Sequence, residues 1–143
     1  MPVNSRDGTH ENTNIFKWGQ LLCEGARKLG RPMGADVCDL IVQQMQDVGF
    51  VDVQQCNFAW PTNTWPKDKF MKQLGLRTRI SCTDGMEGLC LALLMRGLGW
   101  KKEEVDVFVA LVKKDFEDRD IHAYIPMPVF FGRKPLEHEI PTG

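Results

Sequence analysis

The sequence predicts an α+β fold, mostly helical, with a small antiparallel pair of strands. Apolar residues recur at spacings of three and four through most of the chain. Only two stretches change to an alternating pattern, Phe50–Phe58 and His122–Phe131, about sixty residues apart. Two strands are rarely a stable sheet by themselves. The pattern therefore predicts part of something larger, or a sheet completed by dimerisation.

Each element has its own signal. Residues 1–12 are polar and read as a flexible arm. From Ile15 to Leu29, Ile15, Trp18, Leu21, Leu22, Ala26 and Leu29 form one helical face, with Gly30 placed to cap it. Arg31 to Gly34 is a turn, and Ala35–Val48 a second helix with Val37, Leu40, Ile41, Met45 and Val48 expected inward. The strand after Gly49 gives way at Trp60–Pro66 to a loop, because Pro61 and Pro66 interrupt it. Pro66 fits the first position of a helix carrying Phe70, Met71 and Leu74 and closed by Gly75. A further helix spans Leu76–Leu98, with Ile80, Met86, Leu89, Leu93 and Leu94 on its apolar face and Gly85 and Gly88 as weak points. Glu103–Phe116 is the clearest amphipathic helix, with Val105, Val109, Val112 and Phe116 in register. Pro126 and Pro128 mark the last strand as an edge or a bulge. The reading is a single domain over residues 13–135 with a loose tail over 136–143.

Composition narrows the function. The 143 residues, 43% hydrophobic, suit one domain with a real core. A net charge of −1, with both signs mixed along the chain, argues against nucleic acid as a partner. The longest apolar stretch, Leu89–Met95, is far short of a bilayer span, so no membrane partner is expected. The first residues lack an apolar signal region, which makes a cytoplasmic location the expectation. Cys23, Cys38, Cys56, Cys82 and Cys90 form no CxxC pair and read as reduced thiols. His10, His122 and His138 are scattered without ligand spacing, so no metal is expected.

Several segments, in order, resemble the fungal LaeA-like (TAM-domain) methyltransferases common in secondary-metabolite clusters. Asp7-Gly8-Thr9, Trp18, Gly25-Ala26 and Gly30-Arg31 look like the segment after that family's fifth strand. Val48-Gly49-Phe50-Val51-Asp52-Val53 looks like its sixth strand. Pro61, Trp65-Pro66-Lys67-Asp68 and Lys72-x-Leu74-Gly75 look like its Pro-x-x-x-Trp-Pro-Lys-Asp stretch. Leu98-Gly99-Trp100, Glu103-Glu104-Val105, Ile121-His122-Ala123-Tyr124 and Gly132-Arg133-Lys134-Pro135 resemble its C-terminal run.

The resemblance implies the C-terminal half of a truncated class I fold without the half that holds S-adenosylmethionine. Such folds hold the cofactor with a glycine-rich turn after the first strand and an acidic residue ending the second. Here Gly85-x-x-Gly88 and Gly97-x-Gly99 fall within helical segments instead. No cofactor is therefore expected, and the Met-Pro start favours a naturally short protein.

Three functions are open. One is a non-methylating small enzyme that binds an apolar polycyclic or terpenoid-like substrate and promotes a cyclisation or a Diels–Alder-type pericyclic reaction. Shape would supply proximity, and a hydrogen bond would polarise a carbonyl. The second is a regulatory or partner subunit of a complete methyltransferase. The third is a piece of an ordinary methyltransferase. In the resembled fold the last strand borders the substrate pocket, which makes His122 and Tyr124 the candidate catalytic groups. Trp60, Trp65, Met86 and Leu89 are the candidate pocket walls, with plain core packing as the alternative. Asp84 and Glu87 share a helix face and read as solvated. The expected partners are a small hydrophobic molecule and a second chain, either another copy or a different protein.

Overall fold

The computed structural model describes residues 3–140. The elements in chain order are α1 (Asn14–Lys28), a 3-10 turn (Gly34–Val37), α2 (Cys38–Asp47), β1 (Val51–Pro61) and α3 (Lys69–Cys90). A π-helical stretch (Leu91–Gly97) follows directly, then α4 (Lys102–Glu117), β2 (Tyr124–Arg133) and a short 3-10 turn (Glu137–Glu139). The strands pair antiparallel in one two-stranded sheet, so the expected α+β class holds.

Thr13 starts α1 by accepting the Phe16 N–H on its side chain. Ile15, Trp18, Leu22 and Ala26 of α1 are buried as their spacing requires. They meet Met86, Cys90 and Leu94 of the α3–π segment and Val105, Val112 and Phe116 of α4. At the centre, the Trp18 ring stands edge-on to Phe116 at 5.7 Å, and its Nε1–H donates to Cys90 Sγ at 3.3 Å. Residues 3–12, expected as an arm, lie against this core: Val3 is buried, and Asn4 exchanges both backbone hydrogen bonds with Tyr124.

The helices expected at 66–75 and 76–98 are one. Asp68 caps α3 by accepting the Met71 N–H at 2.8 Å, so Pro66 lies ahead of the helix rather than at its first position. The helix runs straight through Gly75, where a Cβ would stand 1.8 Å from the Asn63 carbonyl oxygen. That glycine is a seat for the loop after β1, not a helix stop. The π-helical widening sits where α1 crosses, and the crossing is backbone on backbone. A Cβ at Gly25 would meet the Leu93 carbonyl at 2.5 Å, and one at Gly97 the Gly25 carbonyl at 2.7 Å. We expect Gly25→Ala to cost roughly 1–3 kcal/mol through forced separation of these helices, measurable by urea unfolding.

Helix α2 departs from expectation. None of its described side chains is buried, and Leu40 and Val48 are exposed. It packs on β1, β2 and the 3-10 turn just before it, and no other helix covers its stripe to a comparable extent, so Leu40 and Val48 stay uncovered.

The two prolines of β2 cost the sheet nothing. Tyr124 turns its N–H and C=O outward to Asn4, so residues 126 and 128, two and four further on, point their backbone nitrogens the same way. The ladder to β1 stays intact, and the outer edge offers no N–H at Pro126 or Pro128. Proline in that position blunts an edge strand. Trp60 itself belongs to β1, opposite Ile125, and Pro61 pairs with Tyr124; the loop begins only at Thr62.

Candidate functional site

The pleat divides the six expected site residues. Successive side chains of a strand point to opposite faces. Pro61 and Tyr124, paired across the ladder, face one side; Trp60 and Ile125, the next pair, face the other. A cleft of about 330 Å³ on the first side brings together Trp65, His122 and Tyr124 with Asp7, Pro61 and Met71. A second cleft, of about 510 Å³ on the opposite side, contains Trp60 and Leu89. Met86 is fully buried in the core and lines neither. The single pocket expected from sequence is thus two clefts and one core residue.

The first cleft has a stiff wall. Thr62 and Asn63 are buried polar residues. The Ala123 carbonyl accepts three donors: Thr62 N–H at 3.0 Å, Thr62 Oγ1 at 3.1 Å and Trp65 Nε1–H at 2.8 Å. Asn63 donates to the Asp118 carbonyl at 2.8 Å and accepts the Trp65 N–H at 2.9 Å. The loop from Thr62 to Trp65 is thereby fixed to the start of β2, and the Trp65 ring lies 5.2 Å from the His122 ring at 36°.

His122 is held from the other side. Its Nδ1 lies 2.6 Å from Asp7 Oδ2, and its backbone N–H donates to Thr9 Oγ1 at 2.8 Å. Asp7 also accepts from Thr9 N–H and Oγ1 on its other oxygen. The Thr9 hydroxyl, followed by His122, holds the Asp7 carboxyl well below its ordinary range. Gly8, at φ +76, makes the tight turn that lets Thr9 reach back. An ionised carboxylate only accepts, so Nδ1 must carry a proton. In the neutral ring Nε2 is then the basic nitrogen. This is the arrangement in which a carboxylate fixes the tautomer of a working histidine. Both side chains are a little over two-fifths exposed, so solvent and small molecules reach them.

Asp7, Thr9 and Met71 were not among the expected site residues. Asp-Gly-Thr is a turn signature, and it was visible, but nothing local ties it to a histidine 115 residues away. Among the described residues no three His, Cys, Asp or Glu side chains gather as a metal site, and no helix is long and apolar enough to cross a membrane.

The methyltransferase-like class of the chain comes from sequence comparison. The chain is 36% identical over 135 residues to "Probable methyltransferase tdiE" of Emericella nidulans, covering 94% of this chain and 42% of that protein. It is 31% identical over 124 residues to "Secondary metabolism regulator LAE1" of Cochliobolus heterostrophus, covering 86% and 40%. It is 26% identical over 130 residues to "Protein-methionine methyltransferase laeA" of Emericella nidulans, covering 91% and 34%. The chain is a homologue of the fungal LaeA-like methyltransferases and secondary-metabolism regulators. It spans about a third to two-fifths of the length of these curated relatives. No family model matches it, and no solved structure matches it.

Proposed function

We propose that the chain is a non-methylating enzyme of fungal secondary metabolism. Its first cleft takes a small apolar polycyclic or terpenoid-like molecule and promotes a cyclisation or pericyclic step. The observation that carries this reading is His122, oriented by Asp7 at 2.6 Å on the wall of a cleft whose other sides are Trp65, Pro61 and Met71. The volume of about 330 Å³ falls within the range for small-molecule sites. The aromatic and thioether walls bind apolar surface, worth roughly 25 cal/mol per Å² removed from water. His122 Nε2 then takes a proton, or in the protonated ring polarises a carbonyl, while the Tyr124 hydroxyl positions an oxygen. The reading is tested by deleting the gene in a producing fungus and restoring wild type or His122→Ala. A pathway intermediate should accumulate in the deletion and stay accumulated with the variant. An unchanged metabolite profile on deletion would overturn the reading.

Among the described residues no glycine-rich turn joins a strand to a helix. We therefore expect no S-adenosylmethionine binding by the purified chain. Micromolar affinity in isothermal titration would contradict this.

One observation favours a second reading, a subunit that pairs with a cofactor-binding methyltransferase chain or with its own copy. On the face that carries Trp60, the far half of the sheet holds Phe58, Val129 and Phe131, all exposed. Pairing through the β2 edge is hampered at Pro126 and Pro128, so association goes through this apolar face. Light scattering on the purified chain should give more than one chain's mass, and Phe58→Ser with Phe131→Ser should lower it. A single-chain mass at micromolar concentration would remove self-association.

A further inference from the structure

The second cleft has a chemical character of its own. Its floor is apolar: Trp18 and Leu22 of α1, Trp60 of β1, and Ile125 and Met127 of β2. Its lip is one face of α3, where Leu74, Arg77, Thr78, Ser81, Cys82 and Leu89 line it. Thr78 already donates to the Leu74 carbonyl at 2.9 Å. Arg77 is exposed and makes no ion pair or hydrogen bond with another described residue. The residues three and four away on its helix are Gln73, Leu74, Ile80 and Ser81, so none supplies a counter-charge.

We propose that this cleft binds a lipophilic carboxylic acid. The apolar body lies against Trp60, Ile125 and Met127, and the carboxylate meets the Arg77 guanidinium and the Ser81 hydroxyl at the lip. A guanidinium matches a carboxylate with two parallel hydrogen bonds, which distinguishes an acid from an alcohol of the same length. The volume of about 510 Å³ holds a medium-length acyl chain or a compact ring system. This site lies across the sheet from His122 and does not depend on the reaction assigned to the first cleft.

The test is a titration of tryptophan fluorescence with dodecanoate and with dodecanol, both below their aggregation concentrations. Trp18 and Trp60 line the cleft and report occupancy. The acid should bind saturably and roughly tenfold to a hundredfold more tightly than the alcohol, the range for a hydrogen bond to a charged group. Arg77→Gln should erase that difference, and His122→Ala should leave dodecanoate affinity unchanged. Equal affinities for acid and alcohol, or no loss in Arg77→Gln, would overturn the proposal. So would an absence of saturable binding together with a fall in oligomeric mass on Trp60→Ala, which would assign the cleft to a second copy of the chain.

Discussion

Gly75→Ala should unfold the chain roughly 10 °C earlier, a loss of about 3 kcal/mol or more. In the interior of a helix the same change ordinarily stabilises by about 1 kcal/mol, because alanine has less backbone freedom to lose. The sign reverses here because the new methyl would stand 1.8 Å from the Asn63 carbonyl oxygen and 2.7 Å from its carbon. Neither side yields cheaply. Asn63 is buried and tied to Asp118 and Trp65, and Gly75 sits within continuous helix. Gly85→Ala is the matched comparison in the same helix, ten positions on. A Cβ there meets nothing within 4 Å, so it should stabilise by about 1 kcal/mol. Thermal unfolding of both variants reads the contrast. If Gly75→Ala matched Gly85→Ala, the loop would not rest on α3 as described. Because the displaced loop carries Trp65, the first cleft should lose ligand binding along with stability.

The second large effect is chemical. His122→Ala should slow turnover tenfold to a thousandfold with little change in stability, since its side chain is over two-fifths exposed. Asp7→Asn should be nearly as damaging. An asparagine side chain can donate its amide to Nδ1, which moves the ring proton to Nε2 and leaves no base facing the substrate. Trp65→Ala differs in kind: it removes apolar wall and should raise KM more than it lowers kcat. Unchanged kcat in both His122→Ala and Asp7→Asn would take the pair out of the mechanism and leave shape alone as the source of catalysis.

Much of the fold was legible because it depends on local spacing. The faces of α1 and α4 follow from Ile15–Trp18–Leu22 and Val105–Val109–Val112–Phe116, and the structure buries those residues. Pro126 and Pro128 announced an edge or a bulge, and β2 lies at an edge of the two-stranded sheet. The break placed at Gly75 failed for a physical reason. A helix-ending glycine and a glycine that admits a neighbouring backbone look alike in sequence, and the neighbour, Asn63, lies twelve residues earlier in a loop. The inward face assigned to α2 held only in part, with Val37, Ile41 and Met45 half-buried and Leu40 and Val48 exposed, because period shows which residues can be buried, not whether anything is there to bury them.

The candidate site was half legible. His122 and Tyr124 came from the resemblance and Trp65 from its place beside a proline-interrupted loop, and the three share a cleft. Trp60 was paired with Trp65 because both flank that loop. A strand reaching Pro61 instead sends it to the opposite face. Asp7 and Thr9 lay in a polar stretch with no periodicity, so their role emerges only once β2 is folded beside them.

The reaction class separates the two principal accounts by mass. Cyclisation rearranges bonds within one molecule and conserves its formula, whereas methyl transfer adds one carbon and two hydrogens. The purified chain, added without S-adenosylmethionine to an extract of a fungal strain lacking the gene, should convert one accumulated metabolite into an isomer of identical mass. His122→Ala should do so far more slowly. Appearance of a product heavier by one methylene, formed only when S-adenosylmethionine and a cofactor-binding chain are supplied, would contradict the cyclase account and favour the methyltransferase subunit.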